Sequence, residues 1–169
     1  MDPEQRLKVL DAEGIDAAIL YTTVGLLWEA ELQDAELSQA YTKAYNRWIC
    51  EFCAGEPRLT PTAHLSLSDP AAAAAELARA VGEGARGGYV APFHHGGVPL
   101  GHPDNDVVFA AAQDLDVPLA IHPTFETQWT KGTRMGTWDN VKQLRLLATV
   151  AGADGVRQVR SEREELGVL

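Results

Sequence analysis

Apolar and polar positions follow two textures along this chain. Short apolar runs, AAILYT (17–22), LTPTAHLSL (59–67), GGYVAP (87–92) and VPLAIHP (117–123), read as buried strands. Between them lie longer stretches with a helical period. In residues 31–53, Leu37, Tyr41, Ala44, Tyr45, Trp48 and Phe52 fall at i, i+4, i+7, i+8, i+11 and i+15, one apolar stripe on a helix that Gly55 and Pro57 close. Asp69 as N-cap and Pro70 at the first helical position start the next helix, which runs through five alanines to Gly82 and Gly84. A third helix is expected near 104–115 and a fourth near 138–151, with a short one over 3–12 before the first strand. Alternation of helices with near-continuous apolar strands implies an α/β fold whose parallel sheet is covered by helices. Periodicity alone leaves two architectures, a compact open sheet or part of a (β/α)8 barrel.

Composition narrows the class. Hydrophobic residues at 46% and charged residues at 22% are ordinary globular usage, which argues against a disordered or disulfide-framework chain. Lys+Arg 14 against Asp+Glu 24 leaves a net charge of −10, a poor match to a phosphate backbone or an anionic membrane. Nucleic-acid and membrane partners are therefore not expected. No run approaches the ~18–20 apolar residues that span a bilayer. The N-terminal MDPEQRLKVLDAEG has no apolar signal core, and only Cys50 and Cys53 are present, so a reducing cytoplasm is the expected location.

Two motifs are decoys. GEGARG (82–87) matches G-x-G-x-x-G, but it follows a helix and precedes a strand, so no helix N-terminus faces a pyrophosphate. Cys50-Glu51-Phe52-Cys53 sits in the last turn of a helix, where nothing lowers a thiol pKa, and no second pair completes a zinc site.

The histidines carry more. His122 stands where an apolar strand ends, the edge at which α/β folds place ligands and catalysis, and an imidazole there can bind a divalent metal or shuttle a proton. A backbone-capping histidine is the plain alternative. His94 and His95 follow the 87–92 strand in a glycine-rich loop, His64 lies within a strand on a face the pattern does not reveal, and His102 in GHPDND reads as turn chemistry. The long connection 124–137 offers Trp129, Lys131 and Arg134 as candidate contacts for a planar carboxylated substrate.

The order GIDAAILYTTVGL, AYNRWICEFCAGEPRL, a D-P-x-x-A helix start, and PLGHPDNDVVFAAAQDLDVPLAIHP resembles the amidohydrolase-related metal-dependent hydrolases. Within them it is most similar to the 2-amino-3-carboxymuconate-6-semialdehyde decarboxylase-like branch. The resemblance covers residues 1–156, with 157–169 a divergent charged tail. It implies a (β/α)8 barrel holding one divalent metal, usually zinc, of which this chain carries about strands two to five. His122 matches the strand-five metal ligand; the H-x-H pair of strand one is expected upstream of Met1, and the strand-six histidine and strand-eight aspartate downstream of Leu169. The chain is thus expected to be a truncated part of an enzyme. The implied activity is hydrolysis or decarboxylation of a small carboxylated or aromatic-derived substrate, in a chain able to form a homo-oligomer. Two other readings stay open: a non-catalytic fragment, and a small-molecule-binding α/β domain.

Overall fold

The computed structural model describes residues 2–25, 29, 31–91, 98 and 100–122. The expected helix at 138–151, the tail, His94 and His95, and the candidate contacts Trp129, Lys131 and Arg134 lie outside the described residues. Helix α1 spans Pro3–Glu13, capped by the Asp2 carboxylate, and Gly14 at φ 67° ends it. Strand β1 (Ala18–Leu20) follows, then helix α2 (Ala35–Cys53), whose N-cap Asp34 accepts from the Leu37 N–H. Strands β2 (Leu59–Pro61) and β3 (Ala63–Leu65) lead to helix α3 (Pro70–Gly82) and strand β4 (Gly88–Val90). A 3-10 turn (Pro103–Asn105) opens helix α4 (Asp106–Asp114), and strand β5 (Leu119–Ile121) closes the described chain. Asp69 caps α3 as its sequence demands, accepting from the Ala72 N–H at 3.0 Å.

All pairings are parallel: β1 with β2, β3 with β4, and β4 with β5. The run expected as one strand over 59–67 is instead two three-residue strands serving different neighbours. The backbone groups show why. Thr62 N–H reaches back to Leu20 O at 3.3 Å, whereas Ala63 N–H donates to Gly87 O at 2.9 Å and Pro61 O accepts from Arg86 N–H at 3.0 Å. Pro61 lacks an N–H on the side where β4 has not yet begun, so the proline costs no ladder bond there.

The two faces of this sheet differ. Ala63, Leu65, Gly88, Val90, Leu119 and Ile121 share one face by register, and it packs beneath the helices. A Cβ on Gly88 would lie 2.8 Å from Leu65 Cδ1 and 3.1 Å from Leu77 Cδ1, so only glycine lets α3 approach that closely. His64, Tyr89 and Ala120 share the opposite face.

Helix α2 does not bury its apolar stripe. Its buried positions are Ser38, Gln39, Thr42, Asn46, Ile49, Cys50 and Cys53, while Leu37, Tyr41 and Trp48 are 43%, 49% and 53% exposed. The polar half of the buried face has a definite task. His64 turns its N–H and C=O toward the β1 side, but β1 stops at Leu20. Asn46 takes the place of the missing strand: its Oδ1 accepts from His64 N–H at 2.7 Å and its Nδ2 donates to His64 O at 3.0 Å. Two turns earlier, Gln39 Nε2 donates to Ser66 O at 3.0 Å, and Ser38 Oγ donates to Ser66 Oγ at 2.8 Å. Leaving such buried backbone groups unmade costs about 1–3 kcal/mol each, enough to override an apolar stripe.

Candidate functional site

His122 follows directly on β5 and is half-buried, its N–H donating to Val90 O at 3.0 Å. Rings from two other strands surround it. Tyr21, one residue beyond β1, lies 5.5 Å from the imidazole centroid, and Tyr89 of β4 lies 6.0 Å away at 60°. Tyr21 and Tyr89 meet edge-to-face at 5.5 Å, a geometry that favours aromatic pairs. Tyr21 is 37% exposed, whereas Tyr89 is wholly buried. The carboxyl ends of β1, β4 and β5 thus converge on one imidazole with an aromatic wall.

Beneath that wall sits a buried acid–imidazole pair. The His64 ring stacks on Tyr89 at 4.7 Å and 14°, and its Nε2 meets Glu29 Oε2 at 2.5 Å. One proton is shared between the imidazole nitrogen and the carboxyl oxygen in this contact. Both side chains are withdrawn from solvent, at 0% and 1% exposure. Burial pushes the Tyr89 phenol well above its usual range, with Tyr45 and Glu29 adding to the effect, which keeps it neutral.

A second buried network ties the helices to this layer. Asn46 Nδ2 also donates to Glu76 Oε1 at 2.8 Å, and Arg79 grips both Glu76 oxygens at 2.6 and 2.7 Å. Burial alone would raise the Glu76 carboxyl, but the hydrogen bonds from Arg79 and Asn46 outweigh it and hold it below its usual range.

His102 has the structural part its turn context suggests, its Nδ1 accepting from Asp104 N–H at 3.2 Å as cap of the 3-10 turn. Cys50 and Cys53 are free and buried. Burial pushes the Cys53 thiol up to about 11 and the Cys50 thiol up as well, which fits packed side chains rather than a redox pair. Gly82 and Gly84 end α3 before β4, so GEGARG is a helix-to-strand turn.

Tyr21, Glu29, Asn46 and Tyr89 escaped the sequence reading. Asn46 left a usable signal, since Ser38, Gln39, Thr42 and Asn46 share a helical face with Ile49, Cys50 and Cys53. Glu29 left none, because its partner is 35 residues away.

As a metal site the described residues are incomplete. His122 is a chemically suitable donor, yet no group of three or more His, Cys, Asp or Glu able to hold an ion occurs among the described residues. No described helix is long and apolar enough to cross a membrane.

Known proteins resemble this arrangement. The 5-carboxyvanillate decarboxylase of Novosphingobium aromaticivorans, solved with manganese and 3-methoxy-4-hydroxy-5-nitrobenzoic acid, matches with a TM-score of 0.66 at 27% identity, over 80% of this chain and 39% of its own. The dihydroxybenzoic acid decarboxylase of Polaromonas sp. JS666, solved with manganese and the inhibitor 2-nitroresorcinol, matches with a TM-score of 0.66 at 26% identity, over 78% of this chain and 41% of its own. In sequence, the decarboxylase orsB of Emericella nidulans is 37% identical over 81 residues, 48% of this chain and 24% of that protein. The chain therefore spans well under half the length of these relatives, and its strands and helices correspond to one portion of their barrel. Residues 3–156 match the Amidohydrolase family, and the chain belongs to it.

Proposed function

We propose that this chain is part of a metal-dependent decarboxylase acting on a small aromatic carboxylic acid. The observation that carries the reading is the convergence of Tyr21, Tyr89 and His122 at the carboxyl ends of three parallel strands. Its support from relatives is that two similar structures are decarboxylases of aromatic acids solved with manganese. In this reading His122 is one donor to a divalent ion, the remaining donors lying outside the described residues. When bound, such an ion supplies positive charge to an oxygen-rich ligand. Zinc is the ion the family resemblance implies and manganese the one found in the two structures, so metal analysis decides between them.

The chain's own residues have definite parts. The Val90 carbonyl anchors the His122 backbone at the strand end, and the two tyrosine rings flank its imidazole. His64, held by Glu29, backs Tyr89 and keeps the wall flat. Trp129, Lys131 and Arg134 are the proposed contacts for the substrate, the cations pairing with its carboxylate. Residues 1–156 form one partial barrel domain in this reading, with 157–169 outside it, and the two buried free thiols fit a cytoplasmic location.

The test is CO2 release from a dihydroxybenzoate by the purified chain supplied with Mn2+ or Zn2+, alongside metal content by mass spectrometry. Metal retention and turnover that both fall in His122→Ala support the reading. A chain that releases CO2 equally well after His122→Ala overturns the assignment, and one that neither binds metal nor turns over substrate overturns decarboxylase function for this chain.

A further inference from the structure

A buried acid–imidazole pair is a poor way to stabilise a sheet face. Taking two ionisable groups out of water is costly, and an apolar pair of the same volume is often as stable or more so. Stability therefore does not account for Glu29 and His64, which are buried together beneath the aromatic wall. What a short hydrogen bond in such surroundings supplies is a fixed geometry.

Asn46 holds the backbone of His64 through both its N–H and its C=O. Glu29 holds the ring at Nε2, which lies off the Cβ–Cγ axis, so the imidazole has no freedom to turn about χ2. It becomes a rigid plate. Tyr89, its neighbour by register on β4, lies flat on it at 4.7 Å and 14°, and Tyr45 of α2 stands edge-on to it at 6.4 Å and 77°. On β5 the register partner of Tyr89 is Ala120, too small to turn the phenol. The β5 ring that Tyr89 meets is His122, two residues on, at 6.0 Å and 60°. Tyr21 closes the triangle at 5.5 Å from each. Each ring in this row is angled against a held neighbour, and the row begins at Glu29. Glu29 and Tyr21 both come from the connection between β1 and α2, so one segment supports the row at its two ends.

We propose that Glu29 and His64 are positioning residues for His122: by locking Tyr89 they set the angle of its imidazole. For a metal donor that angle is decisive, because the nitrogen lone pair has to point at the ion. Partners that orient a ligating histidine are typically worth about 10–100-fold in metal affinity. The consequence for metal binding rests on the reading of His122 as a donor, whereas the orientation of the ring does not.

The test compares two replacements in the full 169-residue chain. Glu29→Leu/His64→Leu fills the pair's volume with apolar side chains, so circular dichroism and melting temperature are expected to stay near or above the wild type. The ring signals of His122, identified by their loss in His122→Gln, are read by NMR without metal. They are expected to move in the double variant, as the ring currents of Tyr21 and Tyr89 fall differently on the imidazole. Mn2+ affinity by calorimetry is expected to drop roughly 10-fold. Glu29→Gln, whose amide oxygen still accepts from His64, keeps both at wild-type values. His122 signals that stay in place in a folded double variant overturn the proposal, and so do signals that move as far in Glu29→Gln. A wild type that takes up no Mn2+ overturns His122 as a metal donor, and the NMR comparison alone then decides the positioning role. If the double variant does not fold, Glu29→Leu alone is read by the same signals.

Discussion

Helix α3 lays Ala73, Ala74, Leu77 and Ala80 against the sheet, whereas α2 lays Ser38, Gln39, Thr42 and Asn46 there ahead of Ile49 and Cys50. The two are neighbours, and both start on an aspartate cap. Their difference comes from what lies beneath them. Below α3 the β3–β4 ladder satisfies its own backbone groups, so small and apolar side chains pack best. Below α2 the outer edge of β3 has lost its strand partner, and the helix supplies hydrogen bonds in place of apolar area. A helix's buried face follows the unmet demand of the surface it covers, even where that leaves its most hydrophobic positions outside the sheet contact.

The sharpest way to break this comparison is Asn46→Leu, which keeps the size and removes three hydrogen bonds. It is expected to cost about 4 kcal/mol in urea unfolding, because His64 N–H, His64 C=O and part of Glu76 are left unmet. Leu77→Ala in α3 opens a cavity and is expected to cost about 3 kcal/mol. If the order of these two losses is reversed, polar docking is not the dominant tie of α2.

Acid sharpens the same contrast. Glu76 has its carboxyl held below the ordinary range, so its contribution is fully present above the unfolded carboxylate value of about 4.3 and is lost as pH falls through the lower folded one. Melting temperature should therefore drop on acidification in the wild type, and Glu76→Gln should flatten that part of the profile. An unchanged slope in the variant would remove Glu76 from the account. The smallest effect is expected of Asp69→Ala, about 1 kcal/mol for a lost cap on α3, seen as a shift in urea midpoint.

What the sequence discloses follows the same division. The cap at Asp69 and the order of strands and helices were legible, because they depend on neighbours a few residues away, whereas the caps at Asp2 and Asp34 emerge only from the structure. His122 was legible as a strand-end imidazole for the same reason. The break at Thr62, the orientation of α2 and the Glu29–His64 pair were not, since each is settled by partners 18 to 42 residues distant. Tyr21 and Tyr89 hid inside runs that read simply as apolar strands; only register shows that they meet at His122.

Cys50 places its Sγ 3.8 Å from Ala80 O, in the seam where α2 meets α3. A thiol so enclosed and so reluctant to ionise cannot meet an alkylating reagent until the two helices part. The protein therefore carries a native clock: the rate at which Cys50 is labelled at fixed pH counts how often that seam opens, with no engineered probe.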